Sequence, residues 1–335
     1  LFPELNGFAR GTMRLDSLWY DAYFSNADIK HEDGPGLPSR FTGGGHFTLL
    51  PAGVKFDVDL QAMPLSYTTM SRSYPSLPLR GSAVGRIKAA GMAEKFELQT
   101  ALAGEGGDIS FTGNADALEP EMGVAGQWRV RGGNLQNLLG DNRFPVTSLS
   151  MIGTVDMSAS TIETLRGSLH ASVDQFSRVA DARLFGGTVA VYFDSGHVRV
   201  DTLTIESSAV RLTARGGLGI TKARRDSLFI SMVVDSLGGL RPLLTPTDST
   251  KRVLVLAGDT LRGSIELSGQ LAGSVDTTDS RGLDLRLRGD ARDVIVASSR
   301  AQRASLDLSV SDVLRGANGS LSVTIDSAFF AGIAI

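Results

Sequence analysis

The chain has 335 residues, of which 42% are hydrophobic and 39 are glycine, so it carries enough apolar material for a folded core and is not a disordered segment. Its 33 basic and 36 acidic residues are interspersed and give a formal net charge of −3, which leaves no basic patch for nucleic acid. The absence of cysteine excludes disulfides, thiolate metal sites and thiol nucleophiles.

The predicted elements are short strands, because apolar and polar residues alternate along much of the chain. In chain order, the clearest runs are 54–61, 210–215, 283–288, 306–311 and 321–326. Successive side chains of a strand point to opposite faces, so each run has one apolar and one polar side. Continuously apolar strands are rare, which favours an antiparallel meander over a parallel sheet.

Turns rich in glycine and asparagine separate these runs, for example at 43–45, 106–108 and 317–319. Both residues tolerate the positive φ that tight hairpins demand. Helical pattern is scarce. We expect two short helices, at 134–139 and 237–244, where leucines recur at helical spacing.

The run from 198 to 205 changes parity in its middle. Val198 and Val200 lie on one parity, whereas Leu203 and Ile205 lie on the other. One extra residue in a strand would return both pairs to the same face, so the sequence predicts a β-bulge here.

The tetrapeptide Leu-Arg-Gly-Ser occurs three times, at 79–82, 165–168 and 261–264, and strand-like runs follow each copy. This recurrence indicates a repeated unit of several strands. The predicted β repeats, of which the last is truncated, are 1–77, 78–144, 145–250 and 251–335.

The sequence offers no candidate active site, and we expect neither an enzyme, a metal site nor a cofactor. The glycine-rich run 104–107 lacks the lysine and the helix of a phosphate loop, and 276–279 fails the calcium-loop spacing. The acidic residues lie at solvent-side strand positions. The histidines lie far apart, with none at metal-ligand spacing: His31, His46, His170 and His197.

The apolar side of each strand must be covered by something. A second sheet would give a β-sandwich or a β-helix core, and alternation alone favours such ordinary packing. Alternatively, the face stays open as a groove and is covered by lipid acyl chains. Both arrangements require the same alternating strands, so the pattern does not separate them.

Three segments resemble the repeat units of the AsmA-like superfamily, and of its TamB-type translocation and assembly proteins in particular. They are 78–141, 148–244 and a third that starts at Leu261 and continues to the end of the sequence. The first reads PLRGSAVGRIKAAG, then FELQTALAG, DISFTGNADAL and QWRVRGGNLQNLLGD. The second contains TLRGSLHASV and GHVRVDTLTIESSAVRLTARGGLGI, and the third begins LRGSIELSGQLAGSV. The likeness covers most of the chain.

The resemblance implies a long, curved β-sheet with an elongated hydrophobic groove, in a protein anchored in the inner membrane of a Gram-negative bacterium and spanning the periplasm. It further implies bulk phospholipid movement toward the outer membrane and assistance to outer-membrane protein assembly. A barrel partner in the outer membrane would bind a part of the parent chain that is not included here. No apolar run approaches the roughly 20 residues of a membrane span, so we expect an internal stretch of a longer protein.

On this hypothesis, phospholipid acyl chains are the partner and the apolar strand faces are the binding site. A structural or adhesive β-repeat protein of the cell surface is the alternative, although a β-helix would show a period of about 20 residues that this sequence lacks. An enzyme on a β-scaffold would need a polar cleft for which the sequence has no candidates. The candidate groove residues are Val54, Phe56, Val58, Leu60, Val210, Leu212, Leu283, Leu285, Leu287, Leu306, Leu308 and Val310.

Overall fold

A computed structural model describes most of the chain, and strands make up 74% of the protein while helices make up 6%. The prediction of an all-β, antiparallel fold with a few short helices is therefore confirmed. The described residues are 4–15, 20–32, 36–73, 79–118, 120–142, 144–180, 182–240, 261–276, 278–296, 299–315, 318–330 and 333–334.

The chain divides into two compact units, Leu1–Ser160 and Thr161–Ile335, hereafter unit 1 and unit 2. Unit 1 is an antiparallel meander in which each strand pairs with the next along the chain. Its strands are β1 (Glu4–Leu15), β2 (Tyr20–Glu32), β3 (Ser39–Leu50), β4 (Gly53–Ser66), β5 (Ser82–Met92), β6 (Lys95–Gly104), β7 (Asp108–Asp116), β8 (Met122–Gly133) and β9 (Thr147–Ala159).

Unit 2 is also an antiparallel meander, in which β10 and the two-residue β11 both pair with β12. From β12 onward each strand pairs with its successor. The strands are β10 (Arg166–Val173), β11 (Arg178–Val179), β12 (Ala182–Asp194), β13 (His197–Ser207), β14 (Arg211–Gly219), β15 (Asp226–Val234), β16 (Leu261–Gly273), β17 (Leu283–Val296), β18 (Ser299–Ser311), β19 (Asn318–Phe330) and β20 (Ile333–Ala334).

The predicted bulge in β13 is confirmed. Val200 pairs with Gly216 and Leu203 pairs with Ala214, so two residues of β13 oppose the single Arg215 of β14. The extra residue returns the apolar positions on both sides of the bulge to one face. A similar irregularity lies in β2 between Phe24 and Ala27.

The predicted helix at 134–139 is confirmed as α2 (Leu135–Leu139). The side chain of Asn134 accepts a hydrogen bond from the backbone N–H of Asn137, and Gly140 ends the helix in the left-handed conformation. Within 237–244, Leu237–Leu240 forms a 3-10 helix, and the remainder lies outside the described residues.

Two further helical segments follow strands: α1 (Tyr67–Ser73) and a 3-10 helix over Ile162–Thr164. The sequence of α1, YTTMSRS, is rich in residues of low helix propensity, so its pattern does not predict a helix. Ser66, the residue before α1, stabilises its first turn, since the Oγ of Ser66 accepts a hydrogen bond from the N–H of Thr69. None of the described helices is long and apolar enough to cross a membrane.

The three Leu-Arg-Gly-Ser copies share a local structure. Each leads into a strand, β5, β10 or β16, and its glycine has a positive φ: 81° at Gly81, 124° at Gly167 and 111° at Gly263. Glycine is the residue that adopts such a conformation without steric cost. The motif therefore places a glycine with positive φ just before a strand or within its first residues.

The four predicted repeats remain a prediction. The boundary after residue 144 falls in the connection between α2 and β9. The boundaries at 77/78 and 250/251 lie outside the described residues.

Candidate functional site

The apolar side chains of unit 1 form transverse rows on one face of its sheet, because directly paired residues of neighbouring strands share a face. The β2 bulge keeps Phe24 and Ala27 in these rows despite their opposite parity. We call this surface the apolar face of unit 1. Its central rows are Phe24, Gly45, Val58, Ala89, Leu98, Gly113, Gly126 and Val155, then Ala27, Gly43, Leu60, Ile87, Thr100, Phe111, Trp128 and Gly153.

Glycines in these rows make room for aromatic rings. A Cβ added to Gly113 or to Gly126 would lie 2.8 Å from Cζ of Phe111. The Phe111 ring therefore fills the space above two adjacent strands, which keeps the face continuous where side chains are missing.

The structure brings the four candidates of unit 1 to this face, all on β4. Val54 is 40% exposed, and Phe56, Val58 and Leu60 are half-buried. Phe56 continues a series of ring contacts, with centroids 6.5 Å from Phe47 and 5.2 Å from Phe96. Aromatic side chains therefore line this face near the β3–β4 hairpin.

Unit 2 has an equivalent surface, the apolar face of unit 2. Its rows cross from β10 to β19 without a change of face. They are Leu169, Val191, Val200, Gly216, Leu228, Leu271, Leu285, Val310 and Gly319; Ala171, Val189, Leu203, Ala214, Ile230, Gly269, Leu287, Leu308 and Leu321; and Val173, Gly187, Ile205, Leu212, Met232, Leu267, Gly289, Leu306 and Val323.

Six of the eight unit 2 candidates lie in these rows and are half-buried: Leu212, Leu285, Leu287, Leu306, Leu308 and Val310. Val210 lies in the connection before β14, where its N–H donates to the Oγ of Ser207. Leu283 begins β17 and is 5% exposed, so protein already covers it. Of the candidate groove residues in unit 2, these six therefore share one accessible surface.

No second layer covers either apolar face within the described residues. In each unit, the strands there contact mainly their hydrogen-bonded neighbours, together with short helical segments at strand ends. Among the residues that the structure describes, the fully buried apolar ones are few and many are alanine. The half-buried state of the row members therefore comes from their neighbours on the same face.

One end of the apolar face of unit 1 is closed by helices. Leu65, near the end of β4, and Tyr67, the first residue of α1, pack with Ala62 and Ala83, and Leu138 of α2 contacts this cluster. Its four buried members are between 0% and 9% exposed. The sequence pattern did not indicate this closure, because α1 has no helical periodicity of its own.

The opposite, polar face of each unit carries cross-strand ion pairs. Arg40 binds the Asp28 carboxylate through two contacts of 2.7 Å, and Arg86 contacts both carboxylate oxygens of Asp59. In each case the guanidinium lowers the pKa of the carboxyl below its usual range. Exposed pairs of this kind contribute little to stability, typically about 0–1 kcal/mol.

Three histidines and one acidic turn have structural partners. His46 lies 2.8 Å from Asp21, His197 lies 3.0 Å from Asp226, and His170 packs edge-on against Tyr192. The carboxylate of Asp279, which is 3% exposed, accepts hydrogen bonds from Arg225 and Arg281. Among the residues that the structure describes, no three potential ligands come together to hold a metal ion.

A concavity of about 1100 Å³ lies on the polar face of unit 2. Side chains from β13 to β18 line it, among them Arg215, Phe229, Gln270 and Arg286. Sequence reasoning missed this feature. The only local signal was Phe229, an aromatic residue at a position whose pairing partners, Arg215 and Gln270, are polar.

Comparison with known proteins finds no match: no protein-family model, no curated protein and no solved structure corresponds to this chain.

Proposed function

We propose that this chain is an internal segment of a lipid conduit, whose apolar faces shield the acyl chains of phospholipids. The observation that carries the proposal is the register of the apolar rows, which stay on one face of each unit and have no covering layer among the described residues. The wider role, movement of phospholipid between inner and outer membranes with aid to outer-membrane protein assembly, rests on the sequence resemblance of three segments.

The energetics suit a passive conduit. A phospholipid has on the order of 30 methylenes, and exposing each one to water costs about 0.8 kcal/mol. Shielding half of them therefore lowers the barrier to crossing an aqueous space by about half, or roughly 10 kcal/mol. No catalytic group and no nucleotide is required for this.

The structural or adhesive alternative needs the apolar faces to be covered by protein. Against it stand the exposed side chains on the face itself: Phe47 and Val54 are each 40% exposed, and Ile325 of β19 is 45% exposed. A continuous apolar patch of this kind on a sheet is a binding surface for lipid or another apolar partner.

Site-specific photo-crosslinking tests the proposal. A photoreactive amino acid replaces Leu287 or Leu308, which face each other on β17 and β18, in the chain exported to a Gram-negative periplasm. After irradiation, mass spectrometry of the purified protein should detect covalently attached phospholipid, because both positions point into the apolar face of unit 2.

Arg288 and Asp307 provide the matched control. They are the next residues on the same two strands, pair directly with each other, and lie on the polar face. Adducts at these positions equal to those at Leu287 and Leu308 would mean non-specific labelling. Adducts at none of the four positions would mean that protein covers the apolar face, as the structural alternative requires.

A further inference from the structure

The polar face of unit 2 contains a site that the lipid conduit does not use. Its floor is a single transverse row, in which Arg215 pairs with Phe229, Phe229 with Gln270, and Gln270 with Arg286. These residues lie on four successive strands, β14 to β17. With a strand spacing of about 4.8 Å, the two arginine Cα positions are roughly 14 Å apart.

The charges in the concavity leave two arginines unpaired. Asp307 is engaged by Arg288 at 3.2 Å, and Asp201 by Arg199 at 2.8 Å. Arg215 and Arg286 have no ion pair or side-chain hydrogen bond within the described part of the chain. The row therefore presents two free guanidinium groups, which bind carboxylate or phosphate oxygens in a bidentate manner.

An aromatic ring lies between these two charges. Phe229 is 52% exposed although it is on the polar face, and it makes no ring contact among the described aromatic residues. Exposed aromatic surface in a polar concavity is available to pack against the flat, apolar side of a ligand.

The next row supplies hydroxyl groups. Thr213 pairs with Ser231, and Ser231 pairs with Ser268, immediately beside the arginine row. Hydroxyls donate and accept hydrogen bonds, as does the amide of Gln270. The concavity thus combines an apolar ring, two separated cations and several neutral hydrogen-bonding groups.

We propose that this concavity binds an acidic oligosaccharide. A sugar ring has an apolar C–H face that suits Phe229 and a rim of hydroxyls that suits the serine and threonine row. Carboxylates on non-adjacent sugars would reach Arg215 and Arg286. An acidic peptide fits less well, because extended peptides bind sheets through backbone hydrogen bonds at an edge strand, whereas this site lies on the face of paired strands.

Calorimetric titration of the full chain with tetragalacturonate tests the proposal, at about 0.15 M salt to screen diffuse attraction. We expect saturable binding that weakens about tenfold or more in Arg215→Gln and Arg286→Gln, because each removes a charge-assisted contact. Phe229→Thr should weaken it as well, and threonine keeps a strand-compatible side chain. The fully methyl-esterified oligosaccharide, which lacks the carboxylates, should bind much more weakly.

Arg86→Gln is the matched charge-removing control, since Arg86 lies on the polar face of unit 1 and outside the concavity. Equal losses in this variant would reveal diffuse electrostatic attraction and overturn the site. Absence of binding in the parent chain, or tighter binding of tetraglutamate than of tetragalacturonate, would also overturn it. The outcome is independent of the lipid proposal, because the two sites lie on opposite faces of the same strands.

Discussion

At the scale of single residues, Asp21 is a buried, hydrogen-bonded carboxylate on the polar face of unit 1. It is 6% exposed and accepts a hydrogen bond of 2.7 Å from Thr48, while His46 lies 2.8 Å away and stacks on Tyr23. Burial raises the pKa of Asp21, but the hydrogen bonds from Thr48 and His46 and the charges of His46 and Arg14 outweigh it. The pKa of this carboxyl is therefore below 3.8.

This environment predicts acid sensitivity. Because the pKa of Asp21 is lower in the folded state than in the unfolded state, its contribution to stability is present above about pH 3.8 and is lost as pH falls through the folded value. We expect Asp21→Asn to lower the free energy of unfolding at pH 7, and the difference from the parent chain to shrink as the pH falls through the lowered pKa of Asp21. Urea unfolding followed by circular dichroism measures both.

The exposed Asp156→Asn on the same face is the control, and we expect it to change stability little at either pH. A penalty for Asp21→Asn that stays constant from pH 7 down through the acid range would contradict the assignment, because it would arise from packing rather than from ionisation.

At the scale of elements, β13 and β18 differ in how they keep their apolar residues on one face. The first needs a bulge between Val200 and Leu203, whereas the second alternates without interruption from Ala304 to Val310. Strand pairing has a period of two, so removal of one residue inverts the faces unless a bulge absorbs the change.

Two single-residue deletions therefore have opposite outcomes. Deletion of Asp201 removes the bulge and leaves Val198, Val200, Leu203 and Ile205 on one parity, so we expect a thermal midpoint within a few degrees of the parent, as for a change of about 1 kcal/mol. Deletion of Ser305 inverts Leu306, Leu308 and Val310 relative to their partners, and we expect loss of the cooperative transition.

Differential scanning calorimetry distinguishes these outcomes. Deletion of Asp201 also removes its exposed ion pair with Arg199, which contributes about 0–1 kcal/mol. Equal damage from both deletions would mean that the bulge has a role beyond restoring parity.

At the scale of the whole molecule, the central feature is that each unit has an apolar face without a second layer among the described residues. A leucine in a covered core and a leucine on an open face respond differently to a polar substitution. The first leaves a cavity and a buried amide, whereas the second loses only the contacts with its neighbours on the face.

We expect Leu287→Asn, on the apolar face of unit 2, to lower the free energy of unfolding by about 1–2 kcal/mol. Leu237→Asn is the comparison within the same unit, because Leu237 is 5% exposed in its 3-10 helix, and we expect a loss of about 3–5 kcal/mol. Denaturant unfolding of the lipid-free chain provides both values. A cost for Leu287→Asn as large as that for Leu237→Asn would show that the face is covered in solution.

The sequence by itself determined the alternating strands, their two faces and the place of α2, because this information is local. Alternation assigns Leu285 and Leu287 to one side and Arg286 to the other whatever the partner strands are. The parity change between Val200 and Leu203 predicted the bulge for the same reason, and the leucines at helical spacing within 134–139 predicted α2.

Only the tertiary structure decided which side chains meet and what covers them. Arg215, Phe229, Gln270 and Arg286 are far apart in sequence, and strand register alone places them in one row. The helix α1 forms where its own residues disfavour it, held by Ser66 and by packing with Ala62 and Ala83. Alternating strands are equally compatible with a covered and an uncovered apolar face, because strand pairing within a sheet does not specify whether a second layer packs on it. The absence of a covering layer among the described residues is therefore known only from the folded chain.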